Sequence, residues 1–165
     1  MNNLFLSISK ISATLLLVLS VLCLCSCTAT QKEPLNAMDY INALVEAEFP
    51  VENIVEKPAD SEYLNYIERF LFADSRTTQY NDEFPIGGEI QIYETKELMN
   101  EALDKTKGLY GSVPNVAMRL YPAPDGLAIL LIEYELSDAQ AEEYKIAFES
   151  FCKNRKITKK FEGRD

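Results

Sequence analysis

Between residues 36 and 152 the apolar positions follow two periods, one near 3.6 residues and one of two, which separates helical segments from strands. Asn36 is placed to cap a helix whose apolar positions are Ala37, Met38, Ile41, Leu44, Val45 and Phe49, and Pro50 ends it. VENIVEK (51–57) alternates as a short strand, and PADSE (58–62) carries turn chemistry. YIERFLFAD (66–74) is rich in aromatic and branched residues and reads as a strand. Tyr66, Glu68, Phe70 and Phe72 fall on one side of it, and Ile67, Leu71 and Ala73 on the other. A long polar segment, SRTTQYNDEFPIGG (75–88), closes on two glycines that read as a hinge before the strand EIQIYE (89–94), whose apolar face is Ile90 and Ile92.

Thr95 then caps a second helix with Leu98, Met99, Ala102, Leu103 and Leu109 inward. VAMRLY (116–121) and LAILLIEYEL (127–136) flank PAPDG, whose Pro-Asp-Gly chemistry makes a hairpin connection. Val116, Met118 and Leu120 are expected to face the core with Ala128, Leu130, Ile132 and Tyr134. Ser137 and Gln140 form a capping box for a last helix. Its inward positions are Ala141, Tyr144, Ala147 or Phe148, Phe151 and Cys152. The order α-β-β-β-α-β-β-α predicts a single α+β domain, an antiparallel sheet with helices packed on it.

Ahead of this domain the composition changes. After Lys10, residues 11–24 (ISATLLLVLSVLCL) carry no charge. That is about the 7–15 residues of a signal-peptide core and short of the roughly 20 that span a bilayer. Small residues follow at once, as processing requires. Leu24-Cys25-Ser26-Cys27 resembles the lipobox of bacterial lipoproteins: an aliphatic residue, a variable one, a small one, then the modified cysteine. The resemblance implies a diacylglyceryl group on Cys27, cleavage just before it, and loss of Cys23 and Cys25 with the leader. Cleavage before Cys23 or Cys25 fits less well, because Leu22 or Leu24 would then occupy the small-residue position. The expected division is a signal peptide (1–26), a lipidated tether (27–35), the α+β domain (36–152) and a basic tail (153–165). Such a chain belongs at the cell membrane, on its extracytoplasmic face.

Three segments resemble, in order, a small secreted or lipid-anchored domain of unknown function from Gram-positive bacteria. They are YIERFLFAD, with Tyr66, Arg69, Phe72 and Asp74; GGEIQIYETKELMNEA, with Gly87 and Gly88; and GLAILLIEYELSDAQAEEYKIAF, with Tyr144. The chain departs from that family upstream, where ADSEYLN (59–65) replaces the Asp-Pro-Asn and Gly-Arg-Pro elements. The resemblance implies fold and location, and no activity.

Charge and chemistry narrow the function further. The chain has a net charge of −10 although its tail carries six basic residues against two acidic ones, so the domain body is strongly acidic. That argues against nucleic acid, whose phosphates need clustered Lys and Arg. There is no histidine, so the commonest general base and transition-metal ligand is missing, and no phosphate-cradling glycine loop or C-x-x-C is present. No cofactor or metal is expected. Asp60 with Glu62, and Asn81 with Asp82 and Glu83, supply hard oxygens but not the spacing of a calcium loop. Cys152 lies on the apolar side of its helix, an environment for a buried, inert thiol. Glu133 and Glu135, two apart on a strand, are expected about 7 Å apart on one face, within the range used by glycoside hydrolases. The loop 75–88 holds Arg76, Tyr80 and Phe84, residue types favoured in binding sites. Together these features predict a lipid-anchored, non-catalytic binding or accessory module. The alternative is a small carbohydrate-active hydrolase using the paired glutamates.

Overall fold

The strand segments 70–73 and 128–132 are apolar at both parities, so a sheet built from them needs a cover on each face. A computed structural model, which describes residues 35–80, 82–110, 118–157 and 161, supplies both covers. The elements are α1 (Ala37–Glu46), β1 (Val51–Lys57), β2 (Glu68–Asp74), β3 (Gly87–Ile92), α2 (Lys96–Tyr110), β4 (Arg119–Pro122), β5 (Ala128–Ile132) and α3 (Asp138–Asn154). Their order matches the one expected from periodicity. The five strands form one antiparallel sheet in the order β1-β2-β3-β5-β4.

On the first face, α1 and α3 pack against Phe70, Phe72, Ile90, Ile92, Leu130 and Ile132. Tyr40 of α1 sits between Phe148 and Phe151 of α3, with ring centroids 5.3 and 5.5 Å away. Each fully buried side chain of this size contributes about 1.5–3 kcal/mol. On the second face, Met99, Ala102 and Leu103 of α2 meet Tyr66, Tyr93, Ile129 and Leu131. Helix ends are closed locally. Asn36 Oδ1 accepts from the Asp39 N–H, and Glu68 of β2 accepts from the Ala37 N–H, tying α1 to the sheet. The Ser137–Gln140 capping box opens α3 with both of its reciprocal bonds.

Several faces differ from expectation. In α1 the buried stripe is Ala37, Tyr40, Ile41 and Leu44, leaving Met38 and Val45 on the surface. A tyrosine replaces an aliphatic residue in the stripe, which rotates the buried face. The helix stops at Glu46, before Pro50, because Glu48 takes a left-handed φ of 64° that folds Phe49 back into the core. Tyr66 joins the second face, apart from Phe70 and Phe72, since it lies ahead of β2, which begins at Glu68, and is not bound by that strand's alternation. Met118 and Leu120 also serve the second core, beside Ile129 and Leu131, rather than joining Ala128, Leu130 and Ile132. With both parities of β5 buried, alternation alone does not say which core a neighbouring strand serves. Leu109 and Tyr134 are exposed, and Val116 lies outside the described residues.

The basic tail is less separate than its composition suggests. Arg155 ends α3 in a left-handed conformation, and Ile157 and Phe161 pack against the first-face core. The Phe161 N–H donates to the Ala47 carbonyl at 2.9 Å.

Gly87 and Gly88 are not a hinge: both are buried inside β3 and paired with Ala73 and Phe72. A Cβ on Gly87 would lie 2.5 Å from the Asp74 nitrogen, and one on Gly88 would lie 2.5 Å from the Phe72 ring and 2.8 Å from Ile132 Cδ1. The two glycines therefore let β2 and the Phe72 ring approach β3 closely. Gly88→Ala is expected to destabilise the fold by about 1–3 kcal/mol, and Gly87→Ala by at least as much, because backbone cannot move aside as a ring can. Gly108→Ala, where a Cβ in α2 meets open space, is expected to stabilise by up to about 1 kcal/mol. Denaturant midpoints of the three variants check this ordering.

Candidate functional site

Alternation along β3 and into the residue just past its end places Glu89, Gln91 and Tyr93 on the second face, opposite the Ile90–Ile92 side. They form a polar ladder across an otherwise apolar surface. The Tyr93 hydroxyl donates to Gln91 Oε1, and the Gln91 amide donates to Glu89 Oε1. Glu89 Oε2 accepts from Arg69 of β2 at 2.6 Å, and Arg69 Nη1 donates to the Tyr66 hydroxyl at 3.4 Å. Burial in this setting requires that each polar group find a partner, and the chain of bonds provides one to nearly all. The exception is Arg69 Nε, which is buried without a hydrogen-bond partner.

Arg69 is also where the ladder reaches solvent. A shallow pocket of about 450 Å³ is lined by segment 57–62 together with Tyr66 and Arg69. Its wall is shaped by Asp60, whose carboxylate accepts the N–H groups of Glu62, Tyr63 and Leu64 at 2.9–3.1 Å. Those three bonds hold its pKa below the usual carboxylate value. Lys57 and Arg69 are register partners on β1 and β2, two cations placed directly opposite each other. Such a pair is unfavourable unless other groups balance it. Glu89 balances Arg69, while Lys57 donates to the Glu83 carbonyl at 2.9 Å and lies 4.2 Å from the centroid of the Phe84 ring.

The three loop residues singled out from the sequence are divided by the structure. Arg76 is a structural clamp: it makes two-pronged contact with Asp74 (2.7–3.2 Å) and reaches Glu143 of α3 at 3.0 Å. Asp74 is fully buried and also accepts from the Tyr144 hydroxyl at 2.8 Å. Burial, followed by the Asp74 charge, holds the Tyr144 phenol far above its usual pKa, so it remains a donor. The Phe161 ring lies 4.9 Å from the Arg76 guanidinium on the same cluster. Tyr80 (77% exposed) and Phe84 (57%) are the surface members of the trio. The loop is also more tightly held than a segment fixed only at its ends. Thr77 Oγ1 and Gln79 Nε2 donate to the Ile86 carbonyl, and Gln79 Oε1 accepts from the Ile86 N–H at 2.6 Å. Asn53 and Lys57 of β1 donate to the carbonyls of Asp82 and Glu83.

Strand β5 ends at Ile132, so Glu133 and Glu135 do not share a strand face. Residues 133–136 instead form a turn, with the Leu136 N–H directed to the Glu133 carbonyl. Glu133 is partly buried at the end of the second face. Burial first, then the Glu135 and Glu89 charges, push its carboxyl up to about 7. Cys152 is buried, as its position on α3 predicts. Cys27 and Asn81 lie outside the described residues. Among the described residues no acidic or cysteine group is arranged to hold a metal ion, and no helix is long and apolar enough to cross a membrane. The ladder and the pocket were not anticipated. Their only trace in the sequence is the polar parity of EIQIYE, which resembles an ordinary solvent face.

No family model, curated protein or solved structure matches this chain.

Two outcomes follow from these sites. Arg76→Ala removes the cation from a fully buried carboxylate and is expected to cost about 3–5 kcal/mol, whereas Tyr80→Ala is expected to shift stability by less than about 0.5 kcal/mol. Thermal melting of the two single variants checks the contrast. The Glu133 carboxyl titrates near 7 in the fold against an ordinary 4.5, so the folded state binds the extra proton between those values. Stability therefore falls as pH rises through that window, by about 1–2 kcal/mol once partial solvent contact is allowed for. Glu133→Gln is expected to match the parent at pH ~4 and exceed it by that amount at pH ~8, measured by denaturant unfolding at both values.

Proposed function

We propose that this chain is a lipid-anchored protein of the bacterial cell envelope, held on the extracytoplasmic face through a diacylglyceryl group on Cys27. Its folded domain serves there as a non-catalytic binding or accessory module. The observation that carries this reading is where the core begins. Leu35 and Ala37 are already buried, only eight residues beyond Cys27, which gives a tether of at most about 28 Å when fully extended. A short polar tether joining a lipobox-like leader directly to a packed domain suits a protein that works close to the membrane. Two acyl chains anchor stably where one does not.

A second reading, a small carbohydrate-active hydrolase, is favoured by Glu133. A carboxyl pushed up to about 7 suits a general acid. Its diagonal neighbour across β3 and β5 is Glu89. Both Glu89 oxygens are held, by Arg69 and by Gln91, which leaves that carboxylate poorly placed to act as nucleophile or base. Glu135 remains the partner this reading requires. The non-catalytic reading is preferred on that ground.

Cys27→Ala is expected to leave an unprocessed precursor of higher mass that keeps the leader and lacks the diacylglyceryl group. Normal processing of that variant, seen by intact mass, would remove Cys27 from the assignment. Release of reducing sugar from cell-wall glycan by the parent, abolished in Glu133→Gln with Glu135→Gln, would replace the non-catalytic reading with the second.

A further inference from the structure

The pocket beside Arg69 presents a combination of groups that restricts what it can receive. Arg69 uses Nη1 and Nη2 for Tyr66 and Glu89, and its Nε–H has no hydrogen-bond partner. The Nε–H is buried away from the pocket's solvent, so what Arg69 can offer a ligand is the second N–H on each of Nη1 and Nη2. Lys57, directly opposite, adds an ammonium that makes no ion pair among the described residues and donates to the Glu83 carbonyl. Ser61 and Glu62 supply a hydroxyl and an exposed carboxylate on the facing wall. Two exposed aromatic residues flank the lining: Tyr63 follows Glu62 in the chain, with its ring 5.3 Å from Lys105 Nζ, and one face of the Phe84 ring lies 4.2 Å from Lys57 Nζ.

An apolar ligand leaves these donors and the carboxylate unmatched, which is costly once water is displaced. A compact anion such as phosphate satisfies the two cations but brings its charge against Glu62 and the Asp60 and Glu89 carboxylates behind it. A ligand with several hydroxyls on a rigid ring uses both signs. Vicinal oxygens accept from the Arg69 fork and Lys57, hydroxyl hydrogens donate to Glu62, and the ring's C–H face rests on an aromatic side chain. We propose that this pocket is a saccharide-binding subsite, with Arg69 and Lys57 as hydroxyl donors, Glu62 as acceptor and Tyr63 or Phe84 as the ring platform. The inference rests on the binding-module reading and names its ligand class. The buried ladder from Tyr93 through Gln91 and Glu89 then holds the Arg69 fork in one orientation, which lowers the cost of ordering it when a sugar binds.

The test is isothermal titration of the full chain in a sugar-free detergent, using chitotetraose as a neutral probe, tetragalacturonate as an acidic one, and inorganic phosphate as a compact anion. Saturable binding of either tetrasaccharide at or below about 1 mM is expected, the stronger arm deciding between neutral and acidic sugars. Lys57→Ala with Glu62→Ala is expected to weaken it at least about tenfold in a chain that still melts cooperatively, the lost Lys57–Glu83 bond lowering the midpoint only modestly. Arg69→Lys keeps the charge without the fork and is expected to weaken binding comparably. Indifference to both sugars at about 10 mM, unchanged affinity in the double variant, or phosphate binding as tightly as either sugar overturns the proposal. Intact mass on the same preparation separates the two readings. A lipidated chain that ignores both sugars loses the subsite and keeps its anchor, and an unlipidated chain that binds sugar does the reverse.

Discussion

The buried carboxylate of Asp74 sets the terms for one whole side of this domain. A charge removed from water at the end of β2 is stable only with a cation and further hydrogen bonds around it. Arg76 provides the cation and its own backbone N–H, and Tyr144 of α3 provides a hydroxyl from the opposite layer. These bonds couple the sheet, the last helix and the start of the 75–86 loop. The aromatic residues collected around the cluster extend that coupling. The Tyr144 ring packs on Phe49 and Phe72, and Phe161 returns from beyond α3 to lie on both Phe49 and Arg76. Segments far apart in the chain thus share one electrostatic requirement.

The second face solves a different problem. It carries the smaller core, and there Glu89 and Gln91 of β3 are buried as polar side chains bonded to one another. The run Tyr93–Gln91–Glu89–Arg69–Tyr66 satisfies its members in series, apart from Arg69 Nε, and ends at a pocket. Such a network fixes geometry well, because displacing one member leaves the next buried and unmatched. A guanidinium held through both Nη atoms is fixed in orientation while its side chain stays partly exposed, an arrangement suited to recognition. Glu133 shares the face but not the network, and its displaced titration follows from that: it is partly buried, near two carboxylates, with no cation among the causes of its shift.

These two faces bear on the proposed function in different ways. The first-face cluster holds the loop residue that looked most like a binding group, Arg76, and commits it to the fold. The second face offers a polar pocket on the sheet, away from the α1–α3 core.

Periodicity, caps and turn chemistry by themselves determined the order of the elements, the antiparallel sheet, the inward face of α3 and the burial of Cys152. Each depends on residues close together in the chain, where the repeat of a helix or strand acts directly. Only the tertiary structure decided which core each strand serves, since a sheet covered on both sides buries both parities of β5 and makes alternation ambiguous. It also decided that Gly87 and Gly88 are points of close packing, that Arg76 is a clamp, and that Glu89 and Arg69 meet across strands at a separation of twenty residues. Those outcomes depend on pairing between distant segments, and a carboxylate that will be buried beside a guanidinium reads in the sequence like one that stays in water.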